Sequence, residues 1–380
     1  MKTALVKLLG NEFEVLGETK LEEVENSQLV LCFAAKEILA EPGIYQRVST
    51  RFPSAQVLMS STSGEIVNNT VQDNSLVAAV IHFSNTNIET ASVNISNYTN
   101  SYEAATALVK KIPLKGLVNI LVFSDGSMVN GSELVKGLND AVENKVLITG
   151  GLAGDGSAFV STLVGLNEQP GHGNIIAVGF YGDKLSVTHG SQGGWDTFGP
   201  EREVTSSNGN KLFEVDHKNA LELYIKYLGP DADQLPGSAL LFPLSIITPD
   251  SNQPVVRTIL SIDKEQQSMT FAGDIPVGSK VRFMKANFDK LTSAASKAAQ
   301  QTLLDKEEKP GFSLLVSCVG RKLILGNRID EEVEAVIESL GEKTAVAGFY
   351  SYGEISPFNE GGDCRLHNQT MTITSFYELP

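Results

Sequence analysis

Short, continuously apolar runs alternate along this chain with polar loops and amphipathic stretches, and the alternation recurs three times. Each copy reads as an apolar strand, a polar loop, an amphipathic helix, a second apolar strand, and then small residues closing on a glycine and an acid. In the first copy QLVLCFA (28–34) leads through a helix near 41–51 into AQVLMSSTSGEI (55–66). In the second, GLVNILVFSDG (116–126) leads through SELVKGLNDAVEN (132–144) into KVLITGGLAGDG (145–156). In the third, GFSLLVSCVGR (311–321) leads through DEEVEAVIESLG (330–341) into KTAVAGFYSYGEI (343–355). Internal self-similarity of this kind marks a repeated supersecondary unit. The first and third endings align without a gap, so Ser63-Gly64-Glu65 answers Tyr352-Gly353-Glu354, with Gly154-Asp155 a looser third match.

The helices announce themselves by stripe and cap. Leu134, Val135, Leu138 and Val142 follow Ser132 at helical spacing, and Val333, Val336, Ile337 and Leu340 follow Asp330 in the same rhythm. Strands that are apolar throughout suit burial on both faces, and a strand–helix–strand unit within one sheet is a parallel right-handed crossover. Alternating stretches at 174–190, 255–274 and 370–378 read as antiparallel hairpins, and SAFVSTLVG (157–165) reads as β-like. A polar stretch containing Gly209, followed by a helix near 218–228, sets a boundary that divides the chain into 1–208 and 209–380. The expected fold class is α/β: two related halves with mixed β-sheets and flanking helices, stacked as a helix–sheet–sheet–helix sandwich.

Composition narrows the function classes. At 380 residues the chain is long for one core. A formal net charge of −15, with no basic stripe to offset it, disfavours nucleic acid and anionic membrane. Residues 1–20 carry Glu12, Glu14 and Glu18 and no continuous apolar stretch, so no signal peptide or membrane anchor is expected there. Cys32, Cys318 and Cys364 are an odd number, far apart and without paired metal spacing, which suits a reducing compartment. The expected location is cytoplasmic.

The three Gly-acid endings fall where ligands settle in open α/β sheets, in the crevice beyond the carboxyl ends of parallel strands. Glycine there lets a ligand approach the backbone, and the acid accepts hydrogen bonds from an ammonium group; the competing reading is a tight turn with an exposed acid. Familiar catalytic templates are missing. GGLAGDG is followed by a β-like segment rather than a helix that would hold a pyrophosphate, and there is no P-loop, Gly-x-Ser-x-Gly elbow, His-Glu-x-x-His or paired Cys-x-x-Cys. Among His82, His172, His189, His217 and His367, only His367 stands in a polar cluster, beside Asn368 and Gln369 at what reads as the start of a strand. Arg321 suits either a bidentate clamp on a ligand carboxylate or a structural ion pair.

STSGEI, GGLAGDG, FAGDIPVG, SCVGRKLILG and the closing GFYSYGEISPF...CRLHNQTMTIT together closely resemble the FIST family, the ligand-sensing module of bacterial signalling proteins and some F-box proteins. The resemblance spans nearly the whole chain, as an N-terminal portion through GGLAGDG and a C-terminal portion ending in LHNQTMTIT. It implies a sensory protein of the stand-alone bacterial type that binds a small, amino-acid-like ligand and signals through a separate partner, such as a histidine kinase or chemoreceptor component. It also implies an alternative, a branch that binds haem, senses nitric oxide and regulates a histidine kinase, for which His367, His189 or His172 is the candidate axial ligand. Carried onto the matched motifs, the candidate ligand-binding residues are Ser63, Gly64, Glu65, Gly151, Gly154, Asp155, Arg321, Tyr352, Gly353, Glu354, His367 and Asn368. A hydrolase or transferase built on the polar strand ends is a third reading; no catalytic residue, firm metal ligand or required cofactor is assigned from sequence.

Overall fold

The computed structural model describes residues 1–235, 237–250, 253–304, 309–359 and 361–379. Within it each of the three sequence repeats builds one mixed sheet of the same topology. The first unit uses strands Lys2–Leu9, Leu29–Ala34, Gln56–Ser61 and Leu76–His82. The second uses Asn87–Asn94, Leu117–Ser124, Leu147–Leu152 and Asn174–Tyr181, and the third Leu185–Gln192, Phe312–Cys318, Ala345–Ser351 and Met371–Glu378. In chain order these are the leading, first, second and closing strands of a unit. First and second strands run parallel in every unit, with Leu31 opposite Leu58, Val122 opposite Gly150 and Leu315 opposite Gly348. The closing strand lies antiparallel on the other side of the first, and the leading strand antiparallel beyond it.

After its second strand, each unit sends one further strand away to a neighbour. Glu65–Val67 of the first unit pairs antiparallel with the second strand of the third unit, Val67 opposite Ala347. Val164–Leu166 of the second unit pairs with the second strand of the first, and Gly353–Pro357 of the third with the second strand of the second. The exchange closes a ring of three. A sheet edge left open is satisfied each time by a strand from another unit.

Side chains alternate between two environments along the first strands, which explains their unbroken apolar character. Leu31, Phe33, Leu121, Phe123, Leu314 and Val316 point into one core shared by all three sheets. At that centre Phe33, Phe123 and Phe349, one from each unit, meet with ring centroids 5.0–5.9 Å apart. The intervening residues face outward onto helices: Val30 and Cys32 toward helix Ile44–Arg51, Ile120 and Val122 toward Gly131–Ala141, and Leu315 toward Phe288–Gln301 and Ile329–Leu340. Sheets inside and helices outside make the fold a mixed α/β one, as the sequence implies.

Residues 196–285 form an inserted lobe between the leading strand and the first helix of the third unit. The lobe has its own core around Tyr224, Phe271 and Phe283 and an eight-stranded sheet. Its two connections, Asp196–Asn208 and Lys280–Lys285, pair antiparallel and so leave the body side by side. The 208/209 boundary lies in the turn joining Asp196–Asn208 to its antiparallel partner Lys211–Val215. Chain segments on its two sides are interleaved by the strand exchange.

Four local expectations change and one holds; the 370–378 stretch is no hairpin but the single strand Met371–Glu378, paired antiparallel with Phe312–Cys318 and Leu185–Gln192. The 174–190 stretch does contain two strands, but Asn174–Tyr181 is already paired on both edges, so Leu185–Gln192 passes to a different sheet instead of folding back. The 255–274 stretch does hold an antiparallel pair, Ile259–Asp263 with Ser268–Phe271. Of 157–165 only the end is strand, in Val164–Leu166, because Asp155 gathers the preceding amides into a loop. His367 ends strand Cys364–His367 and does not begin the closing strand, since Asn368–Thr370 make the turn into Met371–Glu378.

Candidate functional site

The Gly-Glu endings are joints of the strand exchange. Glu65 is buried and accepts from the Thr62 hydroxyl at 2.5 Å and from the Ser75 hydroxyl and amide at 2.7 and 3.2 Å. Glu354 repeats the pattern with Ser351 at 2.8 Å and the Thr370 hydroxyl and amide at 2.8 and 3.2 Å. In each case a carboxylate on the departing strand holds the residue just before its own unit's closing strand. Burial pushes Glu65 up to about 7 and Glu354 up to about 8. In the second unit this duty falls to Asp125, at the end of the first strand, which accepts from the Gly173 amide at 2.7 Å and the Thr162 hydroxyl at 2.8 Å. Sequence alignment of the endings could not find Asp125, because the acid has moved to another strand.

The glycines follow from the same packing. Gly64 takes a φ of +140°, and a Cβ there would lie 2.5 Å from Lys322 Nζ. A Cβ on Gly151 would meet Val316 Cγ1 at 2.6 Å, one on Gly154 would overlap Ser63 Oγ, and one on Gly353 would press on Leu366 and Leu152. Ser63 donates its hydroxyl to Gly156 O at 2.8 Å and its amide to Tyr350 O at 2.8 Å.

Arg321 is fully buried in a structural network. Its Nε donates to Glu332 Oε1 at 2.7 Å, and its terminal nitrogens donate to the carbonyls of Gly193 and Leu291. The clamp expected for a ligand carboxylate is thus closed on Glu332. His367 is buried with Nε2 2.8 Å from Ser356 O, and burial pulls it down to about 4. His172 Nδ1 lies 2.9 Å from Thr162 O, and His189 sits within the leading strand of the third unit. Asn368 is wholly buried, and neither atom of its side-chain amide has a hydrogen-bond partner among the described residues.

An open cleft does lie beyond the carboxyl ends of parallel strands, where the second unit meets the inserted lobe. Its volume is about 390 Å³. Gly126 and Ser127 follow the first strand, Leu152 ends the second, and Phe271, Gly273 and Asp274 face them from the lobe. Tyr352 is the one sequence candidate in the lining. Behind it, Asp155 accepts the Tyr352 hydroxyl, the amides of Phe159, Val160 and Ser161 at 2.8, 3.1 and 2.8 Å, and Lys36 Nζ at 3.4 Å. Burial opposes ionisation of Asp155, but these donors outweigh it and hold the carboxyl below its usual range. The same loop sets Phe159 at a φ of +54°, uncommon for an aromatic residue, and stacks its ring on Tyr352 with centroids 4.5 Å apart. Phe159, Val160 and Leu260 stay substantially exposed around the cleft.

Sequence reading missed Phe159, Asn130, Leu260 and Asp274 as cleft residues. The string FAGD was visible as a motif, but nothing in the chain's order says that it faces the end of a strand about a hundred and fifty residues earlier. Among the described residues no group of three or more His, Cys, Asp or Glu side chains is placed to hold a metal, and no helix is long and apolar enough to cross a membrane.

Comparison with known proteins agrees with the motif resemblance. No curated protein matches. Two solved structures of cyanuric acid hydrolase resemble the chain at low similarity. The enzyme from A. caulinodans is 6% identical, with a TM-score of 0.34 over 94% of this chain and 91% of that one. The second, described as evolutionary innovation by structural concatenation, is 9% identical, with a TM-score of 0.36 over 99% and 98%. The FIST N domain matches residues 28–218 and the FIST C domain residues 220–357. FIST domains are sensory domains associated with signalling, and the chain belongs to the FIST family.

Proposed function

We propose that this protein is a cytoplasmic sensor whose cleft takes up a small amino-acid-like metabolite and which signals through a separate protein, such as a histidine kinase or a chemoreceptor component. The observation that carries this reading is the cleft of about 390 Å³, with apolar and aromatic walls from Val129, Leu152, Phe159 and Tyr352 and a few polar groups from Ser127, Asn130 and Asp274. That combination suits a ligand with an apolar body and a polar head. Its placement between the body and the lobe supplies a route for the signal. The Asp274 amide reaches Ser132 Oγ across the gap at 3.5 Å, so body and lobe touch beside the cleft.

Thermal unfolding in the presence of individual free amino acids tests the reading, since a ligand that binds only the folded state raises the melting temperature. A rise with one or a few of them, lost when Tyr352→Ala opens the wall, is the expected result. No rise with any of them removes it. The haem reading draws less support from the side chains: none of His172, His189 and His367 lines the cleft, and the Nε2 of His367 is engaged by Ser356 O inside the protein. These residues do not fit an axial ligand at this site, and a flat visible spectrum after haem is added is expected.

A further inference from the structure

One wall of the cleft between the second unit and the lobe is an aromatic pair held in a strained arrangement. Phe159 and Tyr352 both line the cleft, stacked with centroids 4.5 Å and planes 16° apart. Phe159 has a φ of +54°, a left-handed conformation that a bulky residue adopts only under constraint. Two bonds impose it: the Phe159 amide donates to Asp155 Oδ1 at 2.8 Å and to the Tyr352 hydroxyl at 2.9 Å. Backbone strain maintained by surrounding bonds clusters at functional positions.

Sealing the loop does not account for the pair. A ring strained into place to complete a core would be buried, yet Phe159 stays 42% exposed beside Val160, at 72%, and Leu260, at 43%. One face of its ring covers Tyr352, and the other is left to the cleft. Two side-chain amides in the lining keep hydrogen-bonding capacity. Asn130 Oδ1 accepts from the Ser132 and Glu133 amides, which leaves Nδ2 as a donor, and Asn210 Nδ2 donates to Phe271 O, which leaves Oδ1 as an acceptor. Among the described residues Asp274 is the one charged side chain in the lining, and its field already acts on the buried Arg257. The cleft therefore offers an aromatic face and neutral hydrogen bonds more than free charge.

We propose that the cleft selects a flat aromatic or heteroaromatic ring, stacked on Phe159 with Tyr352 behind it, whose neutral edge carries both a hydrogen-bond donor and an acceptor. This rests on the reading of the cleft as the ligand site and adds the class of the ligand's body. Offset rings attract through their quadrupoles beyond the area they bury, so a flat ring is preferred over a saturated one of the same size.

The test titrates the full chain with oxindole, a flat neutral lactam, and with perhydro-oxindole, the same lactam with its benzo ring saturated. Thermal unfolding and the proton resonances of each probe are followed together. Oxindole is expected to raise the melting temperature and to show its ring protons moved upfield, as protons lying over an aromatic face are, and perhydro-oxindole to bind more weakly. Phe159→Leu, which keeps apolar bulk and removes the ring, is expected to raise the half-saturating oxindole concentration roughly twofold to tenfold and to cancel most of the upfield shift. Phe159→Gly relieves the left-handed strain, so its melting temperature without probe is expected to hold while the oxindole response is lost; it serves if Phe159→Leu does not fold. Equal binding of the two lactams, unmoved ring protons, or an undiminished response in Phe159→Leu or Phe159→Gly overturns the stacking site. If free amino acids stabilise the wild type and oxindole does not, the stacking site falls while the sensor reading stands; if neither stabilises it, both fall.

Discussion

Three hydrogen-bond donors do not suffice to keep Glu354 easily ionised once the carboxyl is out of water. Burial raises it to about 8 against an ordinary value near 4.5, and Glu65 in the matching joint to about 7. The folded state therefore holds these protons more tightly than the unfolded chain. The stability they contribute is complete below about pH 4.5 and is lost as pH rises toward 7 and 8. Glu354→Gln, which keeps the shape and cannot ionise, is expected to flatten the fall in chemical-denaturation stability between those limits; a slope equal to that of the wild type refutes the assignment. Arg321 makes a second prediction at this scale. Arg321→Met leaves Glu332 buried and unpaired and is expected to cost about 3–5 kcal/mol, whereas Arg321→Met with Glu332→Leu recovers most of the loss in urea unfolding.

At the scale of elements, the parallel strand pairs depend on close backbone approach. Gly150 takes a φ of +140° and has Val122 O where a Cβ would stand. Gly150→Ala should destabilise by more than the ~1 kcal/mol of an ordinary glycine effect and show the loss as a lower urea midpoint. The cleft loop depends on Asp155, whose carboxylate gathers three successive amides and the Tyr352 hydroxyl. Asp155→Ala is expected to release Phe159 from Tyr352 and speed amide exchange at 159–161 while leaving exchange in Leu117–Ser124 unchanged. Equal acceleration in both would mean that Asp155 holds the fold as a whole. The strand, helix, strand order of each repeat was legible because hydrophobic periodicity is a local property. Where each strand ended was legible too, from the glycines and acids. The partner of each departing strand was not, since Glu65–Val67 and Gly353–Pro357 carry the same apolar pattern whichever sheet receives them.

The molecule as a whole is a closed ring of exchanged strands with a lobe inserted in its third unit. Closure makes every unit depend on the other two. A fragment ending at residue 208 keeps the leading strand of the third unit but lacks Gly353–Pro357, which covers the edge of the second unit, and Ala345–Ser351, which receives Glu65–Val67. It is expected to lack a cooperative thermal transition, whereas the full body unfolds as one unit; a sharp transition in the fragment would show that the first two units stand alone. Cleft chemistry belongs to this scale as well, because Tyr352 comes from the third repeat, Ser127 from the second and Asp274 from the lobe.

The sequence by itself determined the three repeats, the helix faces, the two-sided burial of the strands and membership of a sensory family, all of which follow from patterns within a few tens of residues. Tertiary structure alone decided which acids are joints and which face a cleft, that Arg321 is matched by Glu332, and that a loop after the second repeat and a turn of the lobe share one wall. The physical reason is that a carboxylate or guanidinium is defined by what surrounds it, and in a ring of exchanged strands those surroundings arrive from distant parts of the chain.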